Sequence, residues 1–491
     1  MKLSVLTEKL NIIESNCDFN VEITGVCYDS RKTVAGNLFV AIRGFESDGH
    51  KYISSACRLG ASAVICEIKP ADPDIPYILV ENSRLSLALV SAAFFDYPSE
   101  KMKVIGVTGT SGKTTSTHLI RHILESVPET KTGLIGTNGN LIGNEMIHTE
   151  HTTPESYELQ KLFSDMVDKG CTHVVMEVSS HSLSLDRVAG IRYDVAAFTN
   201  LSQDHLDFHR TMDAYADAKS ILFSMCRNAC INIDDLYAPV MLSSAKKNGC
   251  RVITTSVDMT DASLTATDIH MDAKGVEFYA SFGNEKELIR LAIPGLFSVY
   301  NALTAVSVCL AVGIPLKKCA DALSNAEGVK GRVESVPVDS DYTVLIDYSH
   351  KPDALEKVLK TLRPVTSGRL VVLFGCGGDR DRAKRPIMGK VACDNADIVI
   401  VTSDNPRTED PDAIISEILV GTKSSSSKVV VISDRIEAIH WAIDNAASGD
   451  VILLAGKGHE DYQIVGHEKH HMDEREIVAD YLSKIREKRN Y

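Results

Sequence analysis

The chain has no run of about 18 consecutive apolar residues, so it offers no obvious bilayer-spanning helix. Its opening stretch, MKLSVLTEKLNIIESN, interrupts its apolar character with Glu8, Lys9 and Glu14. An export signal needs an uninterrupted apolar segment and a small-residue cleavage site, and neither is present. A cytoplasmic protein without membrane insertion is therefore expected. Positive charge is also in short supply, the formal net charge being −14. General nucleic-acid binding needs a basic surface to neutralise phosphates, so no nucleic-acid partner is expected. A small anionic substrate stays open, because a few Lys and Arg can be focused in one cleft. No CxxC pair occurs among the twelve cysteines scattered from Cys17 to Cys393, which argues against a zinc site. Most of them sit in apolar runs, as Cys66 and Cys309 do, and read as buried free thiols of a reducing compartment. There is no internal repeat, and no low-complexity tract beyond the short Ser424–Ser427 run.

What the chain does have is length. Its 491 residues suggest about three domains at roughly 150 residues each. Residues 1–100 read as small α/β structure: VEITGVCYDSR and NLFVAIRG as strands, ISSACRLGASAVIC as a helix leading into a strand. Tyr97-Pro98-Ser99 is a turn and a candidate boundary. From Met102 the pattern changes. KVIGVTG precedes a helix from Thr114, and THVVMEV and YDVAAFTN follow. Runs apolar throughout suit strands buried on both faces of a parallel sheet. Residues 249–295 alternate over short segments and are expected to form an antiparallel elaboration, followed by a helix from about Ser298 to Val312. From Gly331, five further strand candidates (YTVLIDYSH, RLVVLFGC, ADIVIVTSD, KVVVIS, DVILLAG) alternate with helical segments and predict a second doubly wound sheet. The fold class is thus α/β in three domains: 1–100, a central domain 101–330 with a mostly parallel sheet, and a Rossmann-like domain 331–491.

Ligands of such sheets bind beyond the carboxyl ends of the strands. The clearest motif there is Gly109-Thr110-Ser111-Gly112-Lys113-Thr114-Thr115, which follows a strand and opens a helix. Its glycines let backbone N–H groups wrap a phosphate, and the helix dipole assists. Lys113 is placed to reach the β- and γ-phosphates and Thr114 to ligate Mg²⁺. The strict pattern G-x-x-x-x-G-K-[ST] has Val107 at its first glycine, so this is a shorter variant, unlike an ordinary kinase or GTPase loop. Glu177 ends the next apolar run and can hold Mg²⁺; His205, in NLSQDHLDFH, can join it. Read alone, His205 is a structural histidine, and Lys219, in the amphipathic DAYADAKSILF, is a surface lysine. Asp347 ends a strand and can accept from a ribose hydroxyl, with His350 near phosphates. Arg332 in KGRVE either crosses to a γ-phosphate or pairs with nearby Glu334. Arg380 (GCGGDR), Asp404-Asn405-Pro406-Arg407 and Glu460 (GKGHED) put arginines and carboxylates at neighbouring strand ends. That set suits a zwitterionic amino acid, since Arg binds carboxylates bidentately; the alternative is an interdomain salt-bridge cluster.

The order GTSGKTT, HTTPES, MEVSSH, NLSQDHLDFH, YADAKSILF, YNALTA, GRVE, DYSHKPDAL, GCGGDRDRAKRP, DNPR, AGKGHEDYQ closely resembles the Mur ligases of peptidoglycan synthesis, nearly end to end. The resemblance implies a UDP-substrate domain, an ATP domain and an amino-acid domain in that order. It implies that Tyr28 and Ser30 contact the uridine nucleotide, that Thr152, Thr153, Ser179 and Arg187 hold a muramoyl dipeptide, and that Asn301 contacts ATP. Lys219 matches the family's carbamylated lysine (N6-carboxylysine), an anion that joins Thr114, Glu177 and His205 in holding two Mg²⁺ ions. Family members often carry Gln two residues before the position of Arg187; here Leu185 stands there, and that contact is not carried over. DNPR is the family's signature for meso-diaminopimelate, which carries a second carboxylate at its distal end; Arg407 and Arg380 can pair with carboxylate groups of the amino acid, while Glu460 and the Gly456 backbone can take the ammonium end. An Arg facing a bare lysine ammonium would be repelled.

The expected activity is therefore ATP-dependent addition of meso-diaminopimelate to the D-Glu γ-carboxylate of UDP-N-acetylmuramoyl-L-Ala-D-Glu, through an acyl phosphate, by a monomer whose domains close on the substrates. A lysine-adding relative is disfavoured by Arg407, and folylpolyglutamate synthetases by the DNPR and AGKGHE pair. A nucleotide-dependent switch or transport ATPase is the alternative of another class.

Overall fold

The computed structural model describes residues 1–44, 47–149, 151–326, 328–423 and 427–489. Ser424–Ser426 of the serine run lie outside them. The chain forms two compact units: Met1–Thr265 with Leu303–Cys319, and Ala266–Ala302 with Ala320–Tyr491. Among the described residues, no helix is long and apolar enough to cross a membrane.

In the first unit, five short strands open the chain: β1 (Ile12–Ser15), β2 (Gly25–Cys27), β3 (Asn37–Val40), β4 (Ala63–Cys66) and β5 (Tyr77–Val80). They lie in the order β1-β5-β4-β3-β2, parallel except for β1 against β5. The run VEITGVCYDSR supplies only the three residues of β2 as a strand. Asp29 accepts from the Arg31 N–H at 3.0 Å and turns the chain into the short 3₁₀ turn Ser30–Lys32. An Asx turn of this kind competes with the strand ladder.

The central sheet contains β6 (Lys103–Thr108), β7 (Thr132–Ile135), β8 (Asn140–Ile142), β9 (Glu145–Ile147), β10 (His173–Glu177), β11 (Tyr193–Phe198), β12 (Cys226–Asn232) and β13 (Arg251–Ser256). Their order is β9-β8-β7-β10-β6-β11-β12-β13. The six from β7 through β13 run parallel, as the unbroken apolar runs predict. Val104, Ile105 and Val107 on β6 are wholly buried, each worth about 1.5–3 kcal/mol relative to exposure. Arg251–Ser256 departs from expectation: it joins this sheet in parallel instead of opening an antiparallel elaboration. Its alternating pattern reflects an edge-side strand, half-exposed along Val252–Thr254. The next strand, β14 (Leu264–Asp272), begins by pairing in parallel with β13 at Leu264 and Thr265.

In the second unit, β15 (Gly275–Phe282) and β16 (Glu285–Leu291) form the antiparallel pair expected from their alternation. The helix Leu296–Ala311 follows, within two residues of its expected bounds. The doubly wound sheet contains β17 (Glu334–Val336), β18 (Thr343–Asp347), β19 (Leu370–Phe374), β20 (Ile398–Val401), β21 (Lys428–Val431) and β22 (Val451–Ala455). All five expected strands are present, in the order β17-β18-β22-β19-β20-β21, with β17 added antiparallel at the edge. A separate hairpin, β23 (Tyr462–Val465) with β24 (Glu468–His471), closes the list of strands.

Candidate functional site

The carboxyl end of β6, in the middle of the central sheet, runs into the loop 109–112 and the helix Lys113–Glu125. Gly112 caps that helix at φ +82, where a side chain would be strained. A Cβ on Gly109 would lie 1.9 Å from Thr199 Oγ1, so only glycine fits there. Lys113 Nζ donates to the carbonyl oxygens of Gly109 and Thr110 at 2.9 and 3.0 Å.

Lys219 is the largest departure from reading the residues alone. It is 1% exposed, not on the surface, and its Nζ also donates to Gly109 O at 2.9 Å. Burial, with the charge of Lys113 second, drives its pKa far below that of an ordinary lysine. The ring of Tyr215 lies 4.6 Å from Nζ, and Tyr215 Oη is 3.2 Å from Thr110 Oγ1. The lysine helix is thereby tied to the phosphate-type loop.

Glu177 ends β10 and is buried. Its Oε1 accepts from Thr114 Oγ1 at 3.0 Å and from the Thr137 N–H at 2.9 Å, and Thr137 Oγ1 donates to Oε2 at 3.2 Å. Thr137 Oγ1 also meets Thr152 Oγ1 at 3.0 Å. Thr153 Oγ1 donates to Glu177 O at 2.9 Å and accepts from the Ser179 N–H at 3.1 Å. Arg187 Nη1 reaches Thr153 O at 3.3 Å, and its Nε lies 3.3 Å from Glu155 Oε2. Thr114, Glu177, Thr152, Thr153, Ser179 and Arg187, some 70 residues apart at the extremes by this numbering, therefore form one linked network. His205 sits in a left-handed turn (φ +52), its Nε2 3.5 Å from Asp204 Oδ2 and its ring 4.9 Å from that of His181 and 6.3 Å from that of Tyr215. Among the described residues, no three His, Cys, Asp or Glu side chains converge as a ready metal site. Tyr28 Oη donates to Glu158 Oε1 at 2.9 Å, and Ser30 starts the 3₁₀ turn described above.

In the second unit, a cavity of about 610 Å³ is lined by Arg380, Asp404, Asn405, Arg407, Gly456 and Glu460, together with His350, Lys384 and Tyr348. Arg407 (φ +53) donates through Nη1 to Gly378 O at 2.8 Å, and Arg380 Nη1 to Asp379 O at 3.0 Å. Neither arginine ion-pairs with a carboxylate among the described residues. Asn405 is the hub: its Nδ2 donates to Glu460 Oε2 at 2.9 Å, and its Oδ1 accepts from the wholly buried Lys457 at 3.1 Å and from the Ile464 N–H at 2.9 Å. The strand β23 also holds Arg407 directly, through Arg407 N–H to Ile464 O at 3.1 Å. Below the loop, the buried Arg385 pairs with Glu409 and Glu417 at 2.8 Å each. His350 Nδ1 lies 2.9 Å from Tyr348 O, and burial pulls its pKa down. Asp347 is buried, which pushes its carboxyl up; Oδ2 accepts from Val333 N–H and Oδ1 from Ser349 N–H, both at 2.9 Å. Arg332 stacks on Tyr348 at 5.5 Å, while Glu334 turns to Arg475, so the expected Arg332–Glu334 alternative is overturned. Asn301 is buried in the helix Leu296–Ala311.

Comparison with known proteins matches three stretches: residues 22–95 to the Mur ligase family catalytic domain, 107–309 to the Mur ligase middle domain, and 331–458 to the Mur ligase glutamate ligase domain. The UDP-N-acetylmuramoyl-L-alanyl-D-glutamate--2,6-diaminopimelate ligase of Clostridium botulinum is 48% identical over 488 residues, 97% of this chain and 100% of its own. The chain belongs to the Mur ligase family. The enzyme of the same name from Clostridioides difficile is 44% identical over 99% of this chain and 100% of its own. A solved structure of a ligase of that name superposes with a TM-score of 0.77 at 32% identity, covering 99% of both chains. A Mycobacterium tuberculosis folylpolyglutamate synthase shares the fold alone, with a TM-score of 0.60 at 18% identity over 76% of this chain and 92% of its own.

In this Mur ligase several site residues went unread in the sequence. Lys384, whose Nζ donates to His350 O at 2.9 Å, and Lys457 lay inside the quoted motifs DRAKRP and AGKGHED. Tyr215 and Gln463, whose Nε2 holds Asp404 O at 2.6 Å, likewise lay inside YADAKSILF and AGKGHEDYQ, and only Thr137 of these residues stood outside the quoted motifs.

Proposed function

We propose that this Mur ligase uses ATP to join meso-2,6-diaminopimelate to the D-Glu γ-carboxylate of UDP-N-acetylmuramoyl-L-Ala-D-Glu in peptidoglycan precursor synthesis. The observation that carries the reading is the cavity of the second unit, where Arg380 and Arg407, without carboxylate partners among the described residues, stand beside Asp404 and Glu460. Diaminopimelate brings two carboxylates and two ammonium groups, and each finds an opposite charge there.

The loop 109–115 cradles the triphosphate, with backbone N–H groups and Lys113 facing the transferring phosphoryl group. The three domains are taken as 1–100 for the UDP-substrate, 101–330 for ATP and 331–491 for the amino acid. Thr152, Thr153, Ser179 and Arg187 hold the muramoyl dipeptide, and Tyr28 and Ser30 the uridine end. Their hydrogen-bond connection to Glu177 supports this, since it sets the acceptor carboxylate near the phosphate loop. The family resemblance also assigns Asn301, Arg332, Asp347 and His350 to ATP.

A hard divalent cation suits the oxygen donors Thr114 and Glu177, which already touch. Thr114, Glu177, His205 and Lys219 as its carbamate would hold Mg²⁺. Bound there, Mg²⁺ supplies neutralisation of the charge on the phosphates. The dipeptide γ-carboxylate attacks the γ-phosphorus to give an acyl phosphate and ADP. The amine of diaminopimelate, oriented by Glu460 and Asp404, then attacks the acyl carbon and phosphate leaves. Holding reactants in register provides much of the acceleration. The free thiols fit a reducing cytoplasm.

The experiment is phosphate release with each substrate omitted in turn. Release should require both the UDP-dipeptide and meso-diaminopimelate. Release without an amino acid, or preference for L-lysine, would overturn the reading.

A further inference from the structure

Two of the free thiols stand together away from the phosphate loop: Cys226 Sγ and Cys250 Sγ are 3.5 Å apart. Cys226 opens β12 and Cys250 immediately precedes β13, and these strands pair in parallel from Asn228 and Arg251 onward. Continued back, that register puts Cys250 across from Arg227, one position beyond Cys226; with strands about 4.8 Å apart and about 3.3 Å per residue, the diagonal falls within the roughly 4.4–6.8 Å of Cα separation that a disulfide spans. Closing a bond here therefore asks for side-chain rotation and not for strand movement. The backbone around the pair is pinned. Asn248 Nδ2 donates to Cys226 O at 2.9 Å, and the Cys250 N–H to Ala245 O at 3.0 Å. The two thiols are unequal: Cys226 is buried and Cys250 half-buried, and a cavity of about 590 Å³ lined by Met225, Cys226, Asn248 and Gly249 opens beside them. A second pair, Cys309 and Cys319, is wholly buried and out of a solute's reach. Cys226 lies at the amino end of a strand that runs parallel, through β11, to β6, whose carboxyl end carries the phosphate loop. The pair thus sits at the sheet edge opposite the chemistry.

We propose that Cys226 and Cys250 are an oxidative modification site, at which a peroxide forms a reversible disulfide that staples the starts of β12 and β13. The Cys250 thiolate attacks one peroxide oxygen, the O–O bond breaks, and Cys250 sulfenic acid and water result. The Cys226 sulfur then attacks the Cys250 sulfur, the S–O bond breaks, and hydroxide leaves as water with the Cys226 proton. Two thiols lose two electrons in all, and one hydrogen peroxide becomes two waters. Burial and the adjacent sulfur push the Cys226 thiol up, so the second step is slow at neutral pH and quickens as pH rises.

The test is graded hydrogen peroxide treatment of the full chain, followed by alkylation and peptide mapping by mass spectrometry. Two of the twelve thiols should be lost, in one linked peptide pair carrying Cys226 and Cys250, and dithiothreitol should restore both. The oxidised chain should melt at a higher temperature and keep its ligation rate. In Cys226→Ser, Cys250 sulfenic acid should accumulate and be trapped by dimedone. The mapping of the unaltered chain does not depend on that variant folding. Oxidation of other thiols while this pair stays reduced would overturn the proposal, as would Cys250 passing to sulfinic acid without a cross-link. A linked pair that lowers the melting temperature would overturn the staple.

Discussion

Lys113 and Lys219 both donate to one acceptor, the carbonyl oxygen of Gly109, each at 2.9 Å. Burial first, and the neighbouring Lys113 charge second, drive Lys219 toward its neutral amine. A neutral amine is the form that adds carbon dioxide, as the proposed carbamate requires.

Lys219→Ala should therefore cut ligation by roughly a hundredfold or more. Added short carboxylates should restore part of it by standing in for the missing anion. Phosphate release with and without acetate checks this, and a fully active alanine variant would remove the carbamate role.

Lys113→Ala should lose turnover by a similar factor, roughly a hundredfold or more, with little change in melting temperature. Lys113 Nζ donates to the carbonyl oxygens of Gly109 and Thr110 in the turn beside it. Normal ATP-dependent ligation by this variant would refute the phosphate role.

Arg407→Ala should lower kcat/KM for meso-diaminopimelate by roughly ten- to a hundredfold, the worth of a charged hydrogen-bonded contact. The loss against L-lysine should be smaller, so selectivity falls. Competition assays with both amino acids measure it, and unchanged selectivity would count against the assignment.

Arg385, buried beneath the loop bearing Arg407, holds the Glu409 carboxyl down from 4.5 to about 2. The sign follows from the depressed folded value. The Glu409 contribution is fully present above about 4.5, where the unfolded group also ionises, and is lost as pH falls toward 2. Glu409→Gln should destabilise the chain at neutral pH and flatten the fall in stability between those values. Urea melts at a series of acidic pH values would show it, and an unaltered acid limb would contradict it.

How far the sequence could be read depended on what kind of signal each part carried. The strands Thr343–Asp347, Leu370–Phe374, Ile398–Val401 and Val451–Ala455 are apolar runs, buried throughout, as strands of a parallel sheet covered on both faces read. The phosphate loop is a local arrangement of seven residues and was equally plain. Lys219 was not: its burial is decided by an acceptor 110 residues away, which no helical periodicity reveals. Glu334 stands two residues from Arg332 but pairs with Arg475, 141 residues on. The hairpin went unseen because Glu468–His471 is exposed throughout and shows no alternation. The strand Tyr77–Val80 was missed for a simpler reason, being four residues long after a proline-rich turn.

The hairpin Tyr462–His471 gives the amino-acid pocket a property of its own. Arg407 is fastened to the hairpin at two backbone points, by its N–H to Ile464 O in β23 and by its carbonyl to the N–H of Gly466 in the turn, and Asn405 is fastened to it at a third. The four residues proposed to select the amino acid therefore take their posture from a ribbon some sixty positions downstream by the chain numbering. Grafting DNPR alone into a relative with another ribbon would transfer the letters without their posture. Moving loop and ribbon as one cassette is the exchange that can carry a substrate preference from one scaffold to another.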